Sequence, residues 1–137
     1  HAAVETMRGH TLGRALYHGS PLPNTNIPGL IGGFAGERVL RAPCDGIFTA
    51  VHRIGDTVEE GETIGFVEGM PMKCTIGGVL RGVLDDGVPV KKGMKSGDVD
   101  PRCKPEYCTT ISDKALAVGG GVVEAVLYLS AKQQGRR

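Results

Sequence analysis

The chain has 137 residues, the length of one ordinary domain, with 22 glycines, 4% aromatic residues and no Trp. Sixteen basic against fifteen acidic residues leave a net charge of +1, which argues against a nucleic-acid or membrane-surface binder, because both need surplus Lys and Arg on one face. No window approaches 18 uninterrupted apolar residues, which argues against a membrane span, and no basic-then-apolar secretion signal opens the chain.

The start at His1-Ala2-Ala3-Val4-Glu5, without Met or a capping signal, is that expected of a domain cut from a longer protein. Residues 4–7 and 12–17 read as the strands of a hairpin around Arg8-Gly9-His10. Within it Glu5, Arg8 and His10 form either a polar cluster or, more plainly, a solvated turn. Residues 19–36 hold three prolines and many glycines and read as an irregular loop. Hairpin and loop together make a first segment, residues 1–38.

The most informative signal lies in the next segment, 39–102. Sliding the chain by 32 positions lays residues 42–67 on 74–99 without a gap. Gly46, Val51, Gly55, Val58, Gly61, Gly65 and Val67 then fall on Gly78, Val83, Gly87, Val90, Gly93, Gly97 and Val99. Glycines that recur at the same spacing imply shared turn geometry. Each copy holds a short apolar run (47–51, 79–84), a turn, and a valine followed by two charges and a glycine. A half-motif of this size cannot bury its apolar face alone, but two facing copies can close a small flattened barrel. Glu59-Glu60 in one copy against Lys91-Lys92 in the other allows attraction between them.

The last segment, 103–137, begins in a polar, proline-bounded stretch. Ser112 offers a helix N-cap with Asp113 in the first turn. Ala115, Gly119, Val122, Val126 and Leu129 recur at helical spacing and predict the face packed on the barrel, while residues 132–137 should fray. The three segments are expected to make one compact unit. Gly119-Gly120-Gly121 lacks a phosphate-loop pattern and reads instead as a site of close helix packing. Cys44, Cys74, Cys103 and Cys108 are too sparse for a disulfide scaffold, so reduced thiols in a cytoplasm are expected. Cys103 and Cys108 form a CxxxxC pair, but a structural zinc site needs a second pair, and Cys44 or His52 would have to be brought close by the fold.

Gly55-Asp56-Thr57-Val58-Glu59-Glu60-Gly61-Glu62-Thr63-Ile64 and Ala42-Pro43-Cys44-Asp45-Gly46 resemble the half-barrel unit of biotinyl and lipoyl carrier domains. This resemblance covers residues 40–100. It implies a mainly β fold, a barrel-sandwich hybrid of two pseudo-repeats, here with an N-terminal hairpin and a C-terminal helix. In the carriers a lysine in the turn between the halves bears the prosthetic group. Met70-Pro71-Met72-Lys73 lies near that junction in an altered order, and Lys73 reads as an ordinary strand-end lysine.

A second resemblance spans most of the chain. His1 to Arg14, Arg38-Val39-Leu40-Arg41-Ala42-Pro43, Gly78-Val79-Leu80-Arg81-Gly82, Gly97-Asp98-Val99-Asp100-Pro101-Arg102, Ile111-Ser112-Asp113-Lys114-Ala115 and Gly119-Gly120-Gly121 are similar to signatures of the selenium-dependent molybdenum hydroxylase accessory family. Members have a Rossmann-like N-terminal half, so this chain resembles the C-terminal half. The resemblance implies a role in maturation, with a molybdenum hydroxylase or its maturation machinery as partner; no Ser/His/Asp or Cys/His constellation is legible, which favours a non-catalytic binding or docking domain. The alternative is half of an enzyme site for a nucleotide-containing or selenium-bearing substrate, completed by that other half. It points to Arg81, Asp98, Asp100, Arg102, Asp113 and Lys114 as ligand-binding residues, since they are charged and sit on turns or a helix start. A plainer reading of 97–102 is a turn in which Asp caps backbone N–H groups and Arg102 pairs with a carboxylate. The cofactor is left open: a selenium species, molybdopterin or protein alone.

Overall fold

A computed structural model describes residues 1–25 and 28–135. It is mainly β, with strands in antiparallel sheets and one C-terminal helix. Two compact units divide the chain: His1–Asn26 with Ile111–Arg137, and Ile27–Thr110. The expected boundaries, 1–38, 39–102 and 103–137 within one unit, therefore fall elsewhere. The stretches flanking the repeat are tied to its strands, while hairpin and helix associate with each other.

In the first unit β1 (Ala3–Val4) pairs with β2 (Ala15–Leu16). These strands are shorter than the predicted ones because Glu5 to Arg14 forms a broad turn closed by Glu5 N–H to Arg14 O, 3.0 Å. Helix α1 (Asp113–Gln134) is capped as expected, Ser112 Oγ accepting from Ala115 N–H at 3.2 Å. It packs against both hairpin strands. The helix continues through Gln134 with Gly135 as C-cap, so the fraying expected of 132–134 is replaced by helix; Arg136 and Arg137 lie outside the described residues. The same holds for Asn26 and Ile27 of the expected loop.

The buried face of α1 is also not the predicted one. Gly121 and Ala125 are buried, whereas Val122 and Val126 are exposed. Gly121 sits where an added Cβ would strike the backbone carbonyl of Gly13. Close packing by glycine is thus real, but its partner is the hairpin. Gly119 and Gly120 have open space. By length and composition the apolar stretch containing α1 is long enough to cross a membrane. The exclusion drawn from uninterrupted runs does not reach this helix, because two charges scattered in an apolar window escape that test.

In the second unit the strands are β3 (Val39–Arg41), β4 (Gly46–Ala50), β5 (Thr57–Val58), β6 (Thr63–Val67), β7 (Met70–Lys73), β8 (Gly78–Val83), β9 (Pro89–Val90) and β10 (Lys95–Asp100). They form two four-stranded sheets, ordered β3-β10-β8-β5 and β7-β6-β4-β9. Adding or subtracting 32 turns one order into the other. Register follows: Gly46↔Val90 becomes Gly78↔Val58, and Phe48↔Val67 becomes Leu80↔Val99. Each copy lends its short strand to the other copy's sheet, which is how two units too small to fold alone share one core. That core joins Leu40, Val58, Leu80 and Val99 of one sheet to Phe48, Ile64, Val67, Met72 and Val90 of the other. Lys91 pairs with Asp45 at 2.9 Å, so the expected attraction to Glu59-Glu60 gives way to a contact with a residue that is Gly77 in the other copy.

Candidate functional site

Four of the six residues named from the sequence meet on one sheet. Arg81 lies on β8, Asp98 and Asp100 on β10, and Arg102 just beyond it. Asp100 is 1% exposed. Its Oδ1 accepts from Arg102 N–H at 3.0 Å and Arg102 Nε at 2.9 Å, its Oδ2 from an Arg102 terminal nitrogen at 2.6 Å. This is the capped turn and ion pair of the plainer reading. Arg81 reaches Asp100 Oδ2 more distantly, at 3.4 Å. The hydrogen bonds and charge of Arg102, helped by Arg81, overcome burial and bring the Asp100 carboxyl down to about 2. Arg102 in turn stacks on the Tyr107 ring, 4.4 Å from its centroid.

Asp98 has a different partner, one that the sequence did not single out. Arg38, itself buried, ends a 3-10 turn at the mouth of β3 and donates to Asp98 Oδ2 at 2.7 Å, Val99 O at 3.2 Å and Gly29 O at 3.1 Å. Sixty residues separate Arg38 from Asp98, so no local pattern could have paired them; the signal for Arg38 was its place at the head of the Arg38–Pro43 segment that resembles the accessory family. Asp98 Oδ1 is buried and accepts no hydrogen bond, and Lys95 Nζ stands 3.9 Å from it. The two carboxylates are held in separate ion pairs.

The backbone beside them is irregular. Between Asp98 and Val99 the β10–β8 register slips, so that Gly82 opposes Asp98 while Leu80 opposes Val99. The first copy runs regularly there, with Thr49↔Phe66 and Phe48↔Val67. A second slip, between Lys95 and Gly97, recurs between Thr63 and Gly65 and belongs to the shared fold. This first slip leaves Arg81 as the extra residue of β8 and belongs to the second copy, and bulges of this kind re-aim side chains.

Asp113 and Lys114 are in the other unit, on the first turn of α1. Asp113 accepts both terminal nitrogens of Arg8, at 2.7 and 3.0 Å. In the hairpin Glu5 is buried, not solvated: its carboxylate accepts from Met7 N–H (2.7 Å) and Leu22 N–H (2.9 Å), and these bonds hold it below the ordinary carboxylate range.

The four cysteines are free thiols. Cys74 is buried, its Sγ donating to Glu59 O at 2.7 Å, and burial pushes its thiol up. Cys108 Sγ faces Leu80 O at 3.8 Å beneath the 3-10 turn Pro105–Cys108. Among the described residues no three His, Cys, Asp or Glu side chains gather as a metal site. Lys73 ends β7 opposite Thr63, while the hairpin tip is Glu68-Gly69 with φ of +47° and +77°. One cluster escaped the sequence reading: His52 is bracketed by Asp56 at 3.4 Å and Glu62 at 3.1 Å.

The chain is 45% identical over 129 residues to the uncharacterized protein YqeB of Escherichia coli K12. That match covers 94% of the chain but 24% of the relative, so the chain spans about a quarter of the relative's length. No family model matches. Two solved structures are partly similar. An aspartoacylase family protein from Mesorhizobium loti is 17% identical with TM-score 0.41, over 46% of this chain and 22% of its own. A succinylglutamate desuccinylase/aspartoacylase from Rhodobacter sphaeroides is 24% identical with TM-score 0.42, over 47% and 22%.

Proposed function

We propose that the chain is a non-catalytic binding module in the maturation of selenium-dependent molybdenum hydroxylases, acting on a hydroxylase or its maturation machinery in the cytoplasm. Its strand unit is a barrel-sandwich hybrid, a reading supported by the interchange of the two sheet orders under the 32-residue shift. The observation that carries the function is the convergence of Arg38, Arg81, Asp98, Asp100 and Arg102 around one local bulge. Those residues come from segments that resemble the accessory family, and four of them are charged where the other copy is not: Arg81 falls on Thr49, Asp98 on Phe66, and Arg38 and Arg102 both on Met70, while Asp100 falls on Glu68. A charged cluster that interrupts an otherwise repeated fold is where a polar ligand is gripped. Asp113 and Lys114 are not needed for it.

Arg81→Ala is the sharpest probe, because Arg81 makes the weakest contact of the cluster and its loss should spare the fold. Hydroxylase activity and metal content in cells carrying Arg81→Ala should fall while the melting temperature stays within a few degrees. Full activity would remove Arg81 and its neighbours from the function.

A further inference from the structure

Two groups in the cluster have hydrogen-bonding capacity left over, of opposite kinds. Asp98 Oδ1 is a buried acceptor without a donor, a state that costs free energy until one arrives. Arg81 is a half-buried guanidinium with five donors. Among the described residues its one contact is Asp100 Oδ2 at 3.4 Å, an oxygen already held by Arg102 at 2.6 Å. The two groups are neighbours across the sheet, since Asp98 opposes Gly82, the residue after Arg81. Lys95, more than half exposed, stands 3.9 Å from Oδ1, too far for a hydrogen bond. Four cations (Arg38, Arg81, Lys95, Arg102) surround two carboxylates, so the locality favours an anion.

We propose that Arg81 and Asp98 form a subsite for a protonated tetrahedral oxyanion of the hydrogen phosphate class. Arg81 donates to the anion's oxygens, and the anion's own O–H donates to Asp98 Oδ1. The inference rests on the binding-module reading and narrows its ligand. It also sets a selectivity: sulfate has the same shape but no proton at neutral pH, so its lone pairs would face the carboxylate. A hydrogen-bonding site rejects a ligand that leaves its buried group unpaired.

The test is an NMR titration of the full chain with inorganic phosphate and with sulfate at pH 7 and fixed ionic strength. Phosphate should bind at least about tenfold more tightly than sulfate. Arg81→Gln should weaken phosphate binding by about tenfold or more. Asp98→Asn, whose amide donates, should bring sulfate level with phosphate or ahead of it. Equal affinities in the unsubstituted chain, or no binding of either anion, would overturn the proposal. Should Asp98→Asn unfold, the unsubstituted ratio and Arg81→Gln decide it. A maturation defect without anion discrimination sinks this inference alone, while discrimination without a maturation defect sinks the functional reading alone.

Discussion

Val79 and Ile47 occupy the same place in the two copies, yet Val79 is 1% exposed and Ile47 48%. The 3-10 turn Pro105–Cys108 packs on β8, whereas the outer side of β4 and β6 leaves Ile47 and Phe66 in the open. The same contrast runs through the polar residues. His52, Asp56 and Glu62 of the first copy become Leu84, Val88 and Met94 in the second. Thr49, Phe66 and Glu68 become Arg81, Asp98 and Asp100. Residues facing the shared core stay interchangeable, because both copies fill the same space. Residues facing outward are released from that constraint, and there one copy has acquired a charged site and a cover.

The largest test of this contrast uses Gly78 and Gly46, which share a glycine-only backbone at φ of +156° and +149°. A Cβ on Gly78 would meet the backbone carbonyl of Asp100, which cannot yield; on Gly46 it would meet the flexible Glu68 side chain. Gly78→Ala should cost about 3 kcal/mol and Gly46→Ala about half as much, read from urea unfolding. Equal costs would mean that backbone strain outweighs the differing surroundings.

Acid unfolding gives the next effect. The Asp100 carboxyl sits at about 2 against an ordinary 3.8, so its contribution is complete above pH 4 and is lost as the pH falls toward 2. Through this group the unsubstituted chain should lose about 2 kcal/mol across that window. Asp100→Asn should be less stable at pH 7 and should lack that part of the slope. Parallel slopes in the two proteins would break the assignment.

The smallest effect belongs to the reversed charges. Lys91 and Asp45 are both exposed, so Lys91→Ala should change stability by less than about 0.5 kcal/mol. A larger loss would show that the two copies are held together by charge as well as by their core.

The repeat was legible in the sequence because its glycines and valines obey local rules: turns need certain backbone angles wherever they occur, and alternate strand residues must be apolar to reach a core. Those rules also located the cap at Ser112. All six candidate residues came from the resemblance, and the fold brought four of them together. Arg38 joined them only in the folded chain, since its bond to Asp98 spans sixty residues. The bulge that leaves Arg81 unpaired opposite Asp98 and Val99 is likewise a property of two paired strands, which neither strand's sequence carries alone. The face of α1 was misjudged for a related reason: its many small and apolar residues offer several faces, and the one buried is that on which Gly121 meets Gly13. Periodicity and turn chemistry act between near neighbours and can be read along the chain. Pairings, bulges and burial depend on which distant segments come into contact, and only the tertiary structure decided those.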